Sequence, residues 1–177
     1  MSDQTVPPGG GGAQPQQPMP QIQVNAQYVK DLSFENPNAP QILLQPGTGQ
    51  PKIDVSVDVQ ARAGGENRYE VELRINASAV RADTKAFVVE VVYAGIFTLL
   101  NVPQEAIRLV CLIECPRLLF PFARRIIADC TRDGGFPPLM LEPIDFALLL
   151  RQQAARAQAA NLPPGSLAPA SPPPAGV

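Results

Sequence analysis

Apolar and polar residues alternate along much of the first half of the chain. Ile22, Val24, Ala26 and Tyr28 are interleaved with Gln21, Gln23, Asn25 and Gln27. Ile53, Val55, Val57 and Val59 are interleaved with Asp54, Ser56, Asp58 and Gln60. Tyr69, Val71, Leu73, Ile75 and Ala77 are interleaved with Glu70, Glu72, Arg74, Asn76 and Ser78. A period of two puts successive side chains on opposite faces, so each segment predicts a half-buried strand with one wet face. Parallel strands are usually apolar on both faces, so the pattern predicts an antiparallel sheet. Gly64-Gly65-Glu66-Asn67 predicts the connection between the second and third strands.

The next strand, Lys85 to Tyr93, breaks the pattern. Phe87, Val89, Val91 and Tyr93 share one face, and Ala86, Val88, Glu90 and Val92 share the other. The second face is apolar apart from Glu90, as expected of a central strand under a loop or of a strand that binds something. Lys30 to Pro40 is also unusual. Leu32 and Phe34 alternate with polar residues between Asp31 and Glu35, and Asn-Pro-Asn-Ala-Pro then stops regular structure. A strand ending there offers two carboxylates at a rigid turn, either as ordinary surface acids or as a docking point. In one shared sheet, Asp54, Asp58, Glu70, Glu72 and Glu90 point outward with Arg74 among them and Lys52 and Arg68 at the edges. That is either a solubilising surface or an acidic field that favours a cationic partner.

The second half reads as helix. Pro103-Gln104-Glu105 suits a first turn, and Ile107, Val110 and Cys111 continue at helical spacing. Cys115-Pro116 and Phe120-Pro121 are expected to interrupt or kink it. The helix resumes over Ala123 to Arg132, and Gly134-Gly135 ends it. The apolar run Leu118 to Phe122 fits a core helix or a subunit interface. Phe136 to Asp145 contains three prolines and reads as an extended segment whose Phe136, Leu139, Met140, Leu141 and Ile144 need cover. Asp145 is the expected N-cap of a last helix from Phe146 to about Gln158. Met1 to Pro20, with four consecutive glycines, and residues 156–177, rich in Ala and Pro, read as disordered tails. Residues 21–155 then make one domain.

The 177 residues carry 14 basic and 16 acidic side chains, a net charge of −2, which argues against a nucleic-acid partner. No apolar stretch is long enough to span a bilayer and no signal peptide is legible, so no membrane insertion and a cytoplasmic location are expected. The chain has no His, which removes the commonest general base and metal ligand and any Ser-His triad. Cys111 and Cys115 stand one turn apart but two thiolates do not complete a zinc site. The glycine run lacks the Gly-Lys-Ser/Thr of a phosphate loop. No cofactor or metal is expected, and no enzyme.

Several segments, in order, resemble the SecB family of export chaperones: Lys30 to Pro40, Ala86-Phe87-Val88-Val89-Glu90-Val91, Gly95-Ile96-Phe97, Cys115-Pro116, Leu119 to Arg124, and Gly135-Phe136-Pro137 with Leu139 and Leu141-Glu142-Pro143. The resemblance covers about residues 21–155. It implies an α+β fold, a four-stranded antiparallel sheet with helices on one face, assembled as a homotetrameric dimer of dimers. It implies an ATP-independent chaperone that holds precursor proteins unfolded and delivers them to the SecA motor. Carried over by position, Asp31, Glu35, Val88 and Glu90 would face SecA. Val89, Val91 and Tyr93 would lie at the tetramer contact. Phe136, Leu139, Leu141 and Ile144 would border the groove for unfolded clients. Val92 and Tyr93 stand where more polar residues are expected, and the C-terminal segment carries no acid, which puts a second SecA contact there in doubt. Two other readings stay open: a chaperone of this kind dedicated to one partner, such as an antitoxin, and a small-molecule enzyme of thioesterase-like architecture.

Overall fold

The computed structural model describes residues 18–44 and 50–160. Four strands, β1 (Gln21–Glu35), β2 (Lys52–Ala63), β3 (Arg68–Arg81) and β4 (Thr84–Leu100), form one antiparallel sheet in the order β1-β4-β3-β2. A short helix α1 (Gln41–Leu44) follows β1. After β4 come α2 (Gln104–Leu109), a π-helical stretch Val110–Glu114, α3 (Cys115–Asp133) and α4 (Phe146–Ala160). Residues 1–17 and 161–177, most of the expected tails, lie outside the described residues. The last helix runs to Ala160, beyond the expected domain limit at 155.

Local chemistry explains the turns. The β2–β3 connection closes with the Gly64 amide donating to the Arg68 carbonyl at 2.8 Å, and Gly65 takes a φ of +125°. The β3–β4 turn places Ala82 and Asp83 at φ of +46° and +62°, the left-handed pair that matches strand twist in a two-residue hairpin.

β1 differs from its predicted pattern because of two bulges. Val24 pairs with Phe97 and Ala26 with Ile96, leaving Asn25 extra; Val29 pairs with Tyr93 and Asp31 with Val92, leaving Lys30 extra. Directly opposed residues share a face, and each extra residue reverses the parity. Ile22 and Val24 therefore lie on the side of core residues Leu99 and Phe97. Ala26 and Tyr28, expected on that side too, lie on the other.

One face of the sheet is covered. Val71, Leu73 and Ile75 of β3, Val89, Val91 and Phe97 of β4, and Leu119, Ala123 and Ile127 of α3 have no exposed surface. Burying such a side chain contributes about 1.5–3 kcal/mol. The close approach of helix and sheet needs Gly95: a Cβ there would stand 2.7 Å from the Phe97 ring and 2.8 Å from Leu119.

The prolines do not break the helical run. The π-helical stretch ends at Glu114, and Pro116 follows as the second residue of α3, so the change of helical pitch falls next to the missing amide donor. Pro121 is inside α3 and faces solvent. Pro103 precedes α2 in extended conformation rather than entering its first turn. α3 ends as expected: Gly135 adopts a φ of +86°, its amide donates to Arg132 O, and the Phe136 amide donates to Thr131 O, both at 3.0 Å. The Leu148 amide donates to Asp145 Oδ1 at 3.0 Å, which caps α4 and holds the Asp145 carboxyl below its ordinary range.

Candidate functional site

Two surfaces carry the residues singled out by sequence, and they lie on different sides of the sheet.

The first is an apolar cavity of about 340 Å³ on the helix side. The segment after α3 forms one wall, with Phe136, Pro137, Pro138 and Leu139; Phe87 and Ala86 of β4, Ala79 and Arg81 of β3, Ile53 of β2 and Gln50 and Pro51 just before it form the rest. Phe136 is fixed against Phe87, with ring centroids 5.1 Å apart. Thr131 sets the path of the wall. Its buried hydroxyl accepts the Leu139 amide at 2.9 Å and donates back to the Ile127 carbonyl at 3.0 Å.

Of the four expected groove residues, this cavity brings together Phe136 and Leu139. Leu141 is 7% exposed and belongs to the core, and Ile144 packs partly buried against that core. Neither lines the cavity, because the extended segment turns inward after Leu139 to cover the domain. Met140, between Leu139 and Leu141, is 57% exposed. Sequence reasoning missed Ile53, Ala79, Ala86 and Arg81. Period two placed Phe87 on the core side, but no local signal brings the ends of β2 and β3 to the segment after α3.

The second surface is the open face of the sheet. Here the structure groups all four residues of the expected SecA patch. Asp31 pairs with Val92, Ser33 with Glu90 and Glu35 with Val88, so two β1 carboxylates flank Glu90 of the neighbouring strand. The same face is less acidic than the alternation implies. Arg74 binds Glu90 at 2.6 Å. Lys30 binds both Glu70 and Glu72 at 2.8 Å, Arg62 reaches Glu72 at 3.2 Å, and the Tyr28 hydroxyl donates to Glu70. Hydrogen bonds from Lys30 and Tyr28 hold the Glu70 carboxyl below its ordinary range; those to Glu70 and Glu72 raise Lys30, and that to Glu70 raises Tyr28. Glu72 lies on this outward face as expected but is only 7% exposed, with Lys30 and Arg62 both bound to its carboxylate. Lys30 reaches these acids because the bulge turns it to this face. Among the described residues, Asp31 and Glu35 are exposed and make no ion pair.

The expected tetramer residues lie beneath the helix layer of the single chain. Val89 and Val91 are fully buried under α3 within a single chain, and Tyr93, 8% exposed, stacks on Phe122 at 5.9 Å. They can reach a second copy only through the helix that covers them. The exposed apolar residues nearby are Val29 and Leu32 on β1, opposite Tyr93 and Val91, with Leu118 and Phe122 on α3.

The comparisons with known proteins agree with this architecture. The family described as preprotein translocase subunit SecB matches residues 15–157. A protein-export protein SecB from Maricaulis maris is 57% identical over 147 residues, covering 83% of this chain and 84% of that protein. SecB from Xanthobacter autotrophicus is 54% identical over 80% of this chain and 90% of its own length; for one from Rhodopseudomonas palustris the values are 54%, 87% and 98%. A solved structure of a Mycobacterium tuberculosis SecB-like chaperone, in complex with a ChAD peptide from an antitoxin, shares the fold. Its TM-score is 0.55 at 18% identity, over 70% of this chain and 90% of that one.

Proposed function

Because the chain belongs to the SecB family and is a protein-export chaperone, we propose that it holds precursor proteins unfolded in the cytoplasm without ATP and passes them to the SecA motor. The family is one of chaperones and not of enzymes. The observation that carries this reading is the separation of the two surfaces. The apolar cavity walled by Phe136 and Leu139 suits apolar client segments of many sequences, since it imposes few polar demands. The patch of Asp31, Glu35, Val88 and Glu90 on the other side suits a basic segment of a partner. No helix among the described residues is long and apolar enough to cross a membrane.

The chain works as a dimer of dimers in this reading, joined along the exposed strip of Val29, Leu32, Leu118 and Phe122. Native mass measurement should give a tetramer for the wild type and smaller species for Phe122→Asp. A monomeric wild type at micromolar concentration contradicts the assembly.

Client holding is tested by titrating a reduced, unfolded precursor and its folded form in the presence and absence of ATP. Binding of the unfolded form alone, unaffected by ATP, is expected. Equal affinity for both forms contradicts the proposal.

A further inference from the structure

The end of β1 that carries Glu35 is tied to the helix side of the sheet through Phe34. Phe34 is half-buried on that side, while its neighbours Ser33 and Glu35 face the open side. Its ring fills the space beside Gly134, where α3 ends and the segment walling the apolar cavity begins; a Cβ on Gly134 would overlap it. The ring also stacks on Phe87 with centroids 6.0 Å apart, and Phe87 in turn meets Phe136 of the cavity wall. Asn36 adds a second tie, its Nδ2 donating to the Gly134 carbonyl at 3.3 Å. Asp31 and Glu35 are exposed and make no ion pair among the described residues. Beyond their strand's pairing with β4, what fixes their place is therefore on the helix side.

We infer that Phe34 is a positioning residue for both surfaces: packed on Gly134 and Phe87, its ring sets the Asp31 to Glu35 end of β1 for SecA and holds Phe87 against Phe136 for clients. The inference rests on the two-surface reading proposed above. In a close-packed interior a ring in this place acts as a spacer, and a smaller side chain leaves a void that its neighbours fill only in part. The end of β1 would then settle toward α3 and carry the Glu35 carboxylate with it, with no charge altered. Phe87 would lose one of its two aromatic partners, and the cavity wall would loosen from the same side. A contact patch made of exposed pairs, each worth little, depends on several charges being placed together, so a shift of the strand end matters more there than the loss of any one charge.

The test uses the full chain, SecA at low salt and a fluorescent nonapeptide of Leu, Phe, Ala and Ser with blocked ends. Phe34→Leu should weaken SecA about fivefold, within the worth of two exposed ion pairs. It should weaken the peptide about threefold, the worth of one aromatic pair. Gly134→Ala keeps Phe34 but pushes a methyl against its ring from the other element, and the φ of −74° at Gly134 suits alanine. It should weaken both partners in the same way. The double variant should recover toward wild type, because the new methyl fills part of the space that the ring leaves. Losses that simply add in the double variant overturn the inference. So does a lower melting temperature for Phe34→Leu with both affinities unchanged, which makes Phe34 a stability residue only. Neither outcome touches the two surfaces. If Asp31→Asn and Glu35→Gln together leave SecA binding unchanged, or Leu139→Ser leaves peptide binding unchanged, the reading of that surface fails and takes the inference with it.

Discussion

Val89 and Val91 have no exposed surface, while Glu90, between them in sequence, sits at the open face beside Arg74. The contrast holds across the sheet. On the helix side, β3 and β4 are joined to α3 by apolar contact so close that only glycine fits at position 95. On the open side, long charged side chains bridge strands: Lys30 crosses from β1 to Glu70 and Glu72 on β3, passing over β4. The difference teaches where substitution acts. The helix side should carry stability and client contact, and the open side should carry partner recognition with little weight in folding.

Substitutions can break or sharpen this contrast. The largest effect is expected for Leu119→Ala, at the closest approach of α3 to the sheet. Loss of a fully buried leucine costs about 2–5 kcal/mol, read as a lower denaturant midpoint. Thr131→Val should cost about 1–3 kcal/mol because the Leu139 amide loses its buried acceptor, and it should also loosen the cavity wall and weaken client binding. Thr131→Ser should restore both. Asp145→Ala should cost about 0.5–2 kcal/mol through loss of the α4 cap, with client binding unchanged.

The smallest effect is expected on the open side. Each pair there, partly exposed, is worth at most about 1 kcal/mol, so Glu70→Gln should barely move the midpoint at neutral pH. Its signature lies in the pH profile. The Glu70 carboxyl is lowered from an ordinary value of 4.5, so its contribution is present above pH 4.5 and is lost as pH falls through the folded value. Glu70→Gln should flatten that part of the acid limb. An unchanged acid limb would mean that the Lys30 bridge does not contribute.

The contrast was largely legible in the sequence where the strand period is unbroken. Ile75, Val89 and Val91 declare the buried side by alternation alone, and Gly135 and Asp145 declare helix ends by their conformational chemistry. What stayed hidden was non-local. The extra residues Asn25 and Lys30 shift the parity of β1, and alternation cannot reveal a bulge that exists only relative to a partner strand. That shift brings Tyr28 and Lys30 to the acids of β3, so the expected acidic field is partly neutralised. In the segment after α3, proline content predicted an extended path, but it did not show that Leu141 turns into the core while Leu139 stays at the cavity.

The central claim, that client holding and SecA docking occupy opposite sides of one sheet, is tested most directly by one paired titration. Wild type, Leu139→Ser and Glu90→Lys are each titrated with an unfolded precursor and with SecA at low and high salt. Glu90→Lys should lose SecA affinity and keep the precursor, and Leu139→Ser should do the reverse. SecA binding should weaken as the Debye length falls from about 10 Å at 0.1 M to about 3 Å at 1 M salt. If either substitution weakens both partners equally while the tetramer persists, or if SecA binding ignores both Glu90→Lys and salt, the two-sided account is contradicted.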